Sequence, residues 1–119
     1  MVADLPLAAY LAHQAWQVDP RYGDGALASL MGTFELARPG GSRPRALQYF
    51  DQAVEVSQGQ NPGPWVAKAE GWAVDQQDRP SFEAWLTKAI EVSAGKRDLS
   101  SQIMRDRAQW LLSQADNIF

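Results

Sequence analysis

The chain has 119 residues, a formal net charge of −3, no cysteine, one histidine and five tryptophans. One compact domain over residues 1–119 is expected, long enough to bury a core without disulfides or a structural metal. The missing cysteines exclude zinc fingers, iron–sulfur ligation and thiol chemistry, and His13 alone cannot build a two-histidine metal site.

The 14 acidic residues outnumber the 11 basic ones, which are scattered, so no cationic stripe is offered to a phosphate backbone and no nucleic-acid partner is expected. No apolar run approaches a membrane span, and Met1 to Pro6 lack the basic and apolar regions of a signal segment. Helical periodicity marks six segments. The first, Leu5 to Val18, carries Leu7, Ala8, Leu11, Ala12, Ala15 and Val18 on one stripe, with Pro6 in its first turn and Asp19-Pro20 as its stop. Tyr22 to Gly25 reads as a turn, with Asp24 capping a second helix from Ala26 to Ala37.

Pro44 opens the third helix, which runs to Ser57. Pro64 opens the fourth, reaching Val74, after the Gln58 to Gly63 break. Asp78 or Ser81 caps the fifth, which ends near Ser93, and Gly95 with two basic residues makes its C-terminal stop. The sixth extends from Ser100 to Gln114. The short breaks imply consecutive antiparallel helical hairpins.

The helices share a pattern. The third reads Ala46-x3-Phe50-x2-Ala53 and the fifth Phe82-x3-Leu86-x2-Ala89, while the first offers Ala8-x3-Ala12-x2-Ala15 with Pro20 five residues on. This resembles the second helix of a tetratricopeptide repeat. Its first-helix counterpart is visible in Trp65-x3-Ala69-x2-Trp72 and Met104-x3-Ala108-x2-Leu111, whereas Ala28-x3-Gly32-x2-Glu35 keeps only the glycine. Small residues let the facing helix approach, and bulky ones fill the groove beside it. The expected fold is therefore all-α: tetratricopeptide-like hairpins, about six antiparallel helices in a short right-handed solenoid.

Particular strings are similar to one family, the T component of tripartite ATP-independent periplasmic (TRAP) transporters. They are Asp19-Pro20-Arg21-Tyr22-Gly23-Asp24-Gly25-Ala26, Ala37-Arg38-Pro39-Gly40-Gly41, Asp78-Arg79 with Phe82, and the C-terminal Arg107-Ala108-x2-Leu111-Leu112-x3-Asp116-x2-Phe119. The resemblance implies a periplasmic, often lipid-anchored helical-repeat protein that assembles as an oligomer. It also implies a partner, the transporter's periplasmic substrate-binding subunit, and a small hydrophobic ligand. On this resemblance the sequence looks like the C-terminal half of such a protein, with the N-terminal half and any lipoprotein signal expected to lie outside it.

Function follows as a non-enzymatic scaffold, with no cofactor and no metal. The alternative is a generic tetratricopeptide adaptor that reads a peptide or helix in its concave groove. His13 lies opposite its helix's apolar stripe, with no nucleophile or carboxylate beside it, and reads as a surface residue. Asp75 to Asp78 lacks the glycine and terminal glutamate of a calcium loop, and Gly40 to Arg43 lacks the spacing of a phosphate cradle.

The first helices of the pairs would line the concave face with Ser29, Thr33, Leu36, Val66, Glu70, Ala73, Arg105, Gln109 and Leu112. The tryptophans add aromatic anchors. Trp65 and Trp72 hold packing positions, Trp72 being counted with the binding candidates as well, and Trp16, Trp85 and Trp110 sit on the flanks of their apolar stripes. The candidate binding set is thus Trp16, Thr33, Leu36, Glu70, Trp72, Trp85, Arg105, Gln109 and Trp110. Arg107, beside an apolar face, needs a carboxylate. Asp78 is the partner expected, with Asp75 and Glu83 as neighbours that could substitute.

Overall fold

The protein is described by a computed structural model over residues 5–19 and 21–119. The helix stop at Pro20 and the side chains of Pro6, Ala8 and Asp24 lie outside the described residues. Seven α-helices are present among the described residues: α1 (Leu5–Val18), α2 (Ala26–Ala37), α3 (Arg43–Val56), α4 (Pro62–Lys68), α5 (Arg79–Ser93), α6 (Leu99–Ser113) and α7 (Ala115–Ile118). There is no strand among the described residues, and no helix there is long and apolar enough to cross a membrane.

Local chemistry sets most of the boundaries. The Asp78 side chain accepts from the Ser81 N–H (3.2 Å) with Pro80 in the first turn of α5, and Asp98 accepts from the Ser101 N–H (2.9 Å) at the start of α6. Hydrogen bonding from the Ser81 hydroxyl and N–H to Asp78, and from the Ser101 N–H and hydroxyl to Asp98, holds both carboxyls below the usual carboxylate range. Ser42 caps α3 in the same way, with Pro44 in the first turn.

Three boundaries differ from the expected ones. Asn61 accepts from the Gly63 N–H (3.0 Å), so α4 opens at Pro62 and not at Pro64. The N-cap of α2 is Gly25, left-handed at φ 102 with no side-chain cap bond, and it follows a 3₁₀ turn over Tyr22–Gly25. The chain end adds α7. A further departure follows Lys68, where the helix continues as a π-helical segment over Ala69–Ala73 and two more α-helical residues, Val74 and Asp75, all counted with α4 below.

Packing follows the small-and-bulky pattern. Ala46, Phe50 and Ala53 of α3, and Phe82, Leu86 and Ala89 of α5, are all fully buried, as are Ala28, Ala69 and Ala108 on the facing helices. Helix α2 packs on α3, α4 on α5 and α5 on α6, while α2 touches α4 and α4 touches α6. One cluster ties α4, α5, α6 and α7 around Phe82 and Leu86, with the Phe119 ring edge-on to Phe82 (5.0 Å between centroids). A smaller cluster of Ala12, Leu27 and Met31 fastens α1 to α2, flanked by Trp16, Phe34 and Tyr49. Ala15, expected on the buried stripe of α1, is exposed, because α1 is covered on one side only.

Candidate functional site

The face shared by α2 and α4 takes its shape from the π segment. Gly71 sits in the middle of it, and a Cβ there would lie 3.0 Å from Phe50 Cζ and 3.6 Å from Leu36 Cδ1. Glycine therefore lets α4 close onto the Phe50 ring while Leu36 forms the adjoining wall. The result is an open groove of about 340 Å³ lined by Thr33, Leu36, Ala37, Gly71, Val74 and Asp75. Its lining is mainly apolar, with two polar members whose roles are fixed. Thr33 Oγ1 donates to the Ser29 carbonyl (3.0 Å), and the Asp75 carboxylate accepts from Arg43 Nε (2.8 Å). The Arg43 bond holds the Asp75 carboxyl below its ordinary range. Ser29 Oγ, on the same helix as Thr33, is buried and has no hydrogen-bond partner among the described residues.

Glu70 lies next to Gly71 and forms a forked ion pair with Arg107 of α6, both guanidinium nitrogens reaching the carboxylate, with Nε to Oε2 at 3.1 Å. This corrects the partner expected for Arg107. Asp78 is occupied in capping α5, Asp75 in pairing with Arg43, and Glu83 with Arg79 (2.7 Å), so the carboxylate that reaches Arg107 is Glu70, on the neighbouring first-type helix.

A model of one protein family, TAtT, the TRAP transporter T-component, matches residues 1–119. The chain belongs to the TRAP transporter T-component family. Searches of curated proteins and of solved structures returned no match.

The candidate binding residues of this T-component fall into separate groups. Thr33 and Leu36 share the α2–α4 groove, and Glu70 joins α4 to α6 beside it. Arg105 is spent elsewhere, donating to the Ser93 carbonyl at the end of α5 (2.9 Å). Val66 and Ala73, expected on the open face, are buried in the core because α5 covers that side of α4. Gln109 is exposed and Trp72 half-buried. Trp85 is half-buried beneath Lys68, whose ammonium stands 4.3 Å from the ring centroid and pairs with Asp51. Trp16 meets Tyr49 edge to face at 5.2 Å, and Trp110 is 59% exposed. No group of three or more His, Asp or Glu side chains is placed to hold a metal ion among the described residues.

A second groove escaped the sequence reading. It lies between α1, α2 and α3, is about 330 Å³, and contains Glu35 in its wall. Glu35 Oε1 accepts from Arg38 Nη2 (2.8 Å) and from the Ser42 N–H (2.8 Å), and Oε2 accepts from Arg38 Nε (3.3 Å). The signal was present: Glu35 occupies the position where the first-helix pattern calls for an aromatic, with an arginine three residues on. An acid at a buried packing position needs such a partner.

Burial pushes the Glu35 carboxyl up, but hydrogen bonds from Arg38 and Ser42 and the charges of Arg38 and Arg45 outweigh it, leaving it below its ordinary value of 4.5. A carboxyl depressed in the folded state stabilises it at pH values above 4.5 and loses that contribution as the pH falls through the lower folded value. Glu35→Gln is accordingly expected to make stability less sensitive to acid. In urea unfolding at pH 7 and again below pH 4.5, the drop in midpoint should be smaller for the variant. It should not vanish, since Asp75, Asp78 and Asp98 are depressed too. Equal drops in the two proteins would contradict the assignment.

Proposed function

We propose that this T-component is a non-enzymatic, tetratricopeptide-like scaffold that docks the transporter's periplasmic substrate-binding subunit on the face formed by α2, α4 and α6. The family membership supplies the transporter role. Support for the repeat arrangement comes from the fully buried small residues at pattern positions and from the succession of contacts α2 to α4 to α6. The observation that carries the docking face is the Thr33–Leu36–Gly71–Val74 groove, mainly apolar in its lining, with Asp75 at its polar edge and the Glu70–Arg107 pair formed by the residue next to Gly71. An apolar centre with a polar rim is the ordinary anatomy of a protein interface. The periplasmic location rests on the family resemblance.

Thr33 and Gln109 are both exposed, so arginine at either position obstructs the face without touching the core. Calorimetric titration with the substrate-binding subunit is expected to show at least about tenfold weaker binding for Thr33→Arg and for Gln109→Arg, a loss of about 1.4 kcal/mol each. Unchanged affinity in both variants, with helix content intact, would overturn the assignment of the face.

We further propose self-association through α1. Leu7, Leu11 and Val18 are 61%, 57% and 87% exposed and recur on one side of the helix. Light scattering should give a mass that rises above the monomer with concentration, and Leu11→Glu should hold the chain monomeric. A monomer mass at every concentration tested refutes the proposal.

A further inference from the structure

The groove between α1, α2 and α3 combines an apolar floor with a guanidinium, Arg45, whose charge acts on Glu35 but which makes no hydrogen bond or ion pair among the described residues. Of its lining, Met31 is buried and Phe34 and Tyr49 are half-buried, making the floor, while Tyr10, His13, Arg38 and Arg45 are exposed and make the rim. Most arginines of the chain are engaged. Arg38, Arg43, Arg79 and Arg107 pair with carboxylates, and Arg21 and Arg105 donate to the Val56 and Ser93 carbonyls. Arg45 and Arg97 have no such bond among the described residues, and of the two it is Arg45 that lines this groove.

The one acid in the wall does not satisfy Arg45. Both Glu35 oxygens are taken by Arg38 and the Ser42 N–H, so Glu35 and Arg38 neutralise each other locally and Arg45 leaves the groove with a net positive charge. Aromatic rings alone could also have held a cation, but two guanidinium groups at the rim repel one. A guanidinium fork matches a planar two-oxygen anion with two parallel hydrogen bonds, whereas a phosphate dianion would call on a second free cation that Arg38 does not supply. A volume of about 330 Å³ is at the small end of ligand sites, and the Tyr10, Phe34 and Tyr49 rings in its lining favour a flat body.

We propose that this groove binds a small aromatic carboxylate, with Arg45 pairing the carboxylate and Tyr10, Met31, Phe34 and Tyr49 enclosing the ring system. The site is separate from the α2–α4–α6 face, so it stands or falls independently of the docking proposal.

Three probes test it on the whole chain: 2-naphthoate, its neutral counterpart 2-naphthalenemethanol, and acetate. Titration calorimetry with backbone-amide NMR mapping should show saturable binding of 2-naphthoate, with shifts centred on Tyr10, Met31, Phe34, Arg45 and Tyr49. The alcohol should bind about tenfold or more weakly, as expected for losing a charge-assisted hydrogen-bond pair, and acetate should not saturate. Arg45→Gln, at an exposed position, should weaken 2-naphthoate about tenfold and abolish its advantage over the alcohol, while Arg97→Gln should change nothing. The proposal is overturned by equal affinities for acid and alcohol, by no binding of 2-naphthoate, by an Arg45→Gln protein that binds as before, or by shifts clustered elsewhere.

Discussion

Phe50→Ala is expected to destabilise the protein by about 3–5 kcal/mol, the usual loss for a large aromatic removed from a closed core. The ring is fully buried, and it fills space left for it by two glycines on different helices. A Cβ at Gly32 of α2 would lie 2.9 Å from the ring, and one at Gly71 of the π segment 3.0 Å from it. Phe50 is thus the body against which α2 and α4 both close, and the Leu36–Gly71 wall of the candidate docking groove rests on it. The same geometry gives a sharper test. Gly32→Ala alone should cost about 1–3 kcal/mol by overpacking, but much of that should disappear in a Phe50→Leu background, where the ring is gone. Urea midpoints of the two single variants and the double variant measure the coupling. Costs that simply add would show that the ring does not occupy the space between the glycines.

How much of this was legible beforehand depends on the range over which each feature is decided. The burial of Ala46, Phe50 and Ala53, and of Phe82, Leu86 and Ala89, could be read from spacing because a helix's buried face is set by residues three and four apart. The Asp78 cap was legible for the same reason, being settled within one turn. Arg107 shows where such reading stops. That it needed a carboxylate followed from its apolar neighbours, but which one depended on α4 and α6 lying side by side, and on Asp78 being already committed to its own helix.

The π segment was invisible for a related reason. Nothing in the periodicity of Ala69 to Ala73 separates an α turn from a π turn, and what accompanies it is the approach of Gly71 to a ring on another helix. The candidate site was legible only in part. Thr33 and Leu36, expected on the open face, line the α2–α4 groove, whereas Val66 and Ala73, expected on the same face, are buried against α5 in the folded chain. The second groove needed α1, α2 and α3 together, and its one sequence sign was an acid in an aromatic's place.

Gly25→Ala carries the second large effect, and its cause can be separated experimentally. Gly25 is left-handed at φ 102 and forms the N-cap of α2, where an added Cβ would fall 2.4 Å from the Ala53 carbonyl oxygen of α3 and 3.0 Å from Pro64 Cγ of α4. Two penalties combine. One is backbone strain for an L-residue at positive φ, about 1–2 kcal/mol. The other is displacement of α2 from α3, and because the blocking atom is main chain it cannot rotate aside, adding about 1–3 kcal/mol. Gly40 supplies the control: it too is left-handed, at φ 75, but a Cβ there would meet nothing within 4 Å. Gly40→Ala should therefore lose the strain contribution alone, and Gly25→Ala about 2–5 kcal/mol in total. Since α2 borders both grooves, the Gly25 variant should also weaken binding at each, while the Gly40 variant leaves binding unchanged. Urea unfolding of the two variants side by side decides the matter. Equal losses would mean that α2 does not lie against the Ala53 carbonyl, and the position of both grooves along α2 would have to be revised.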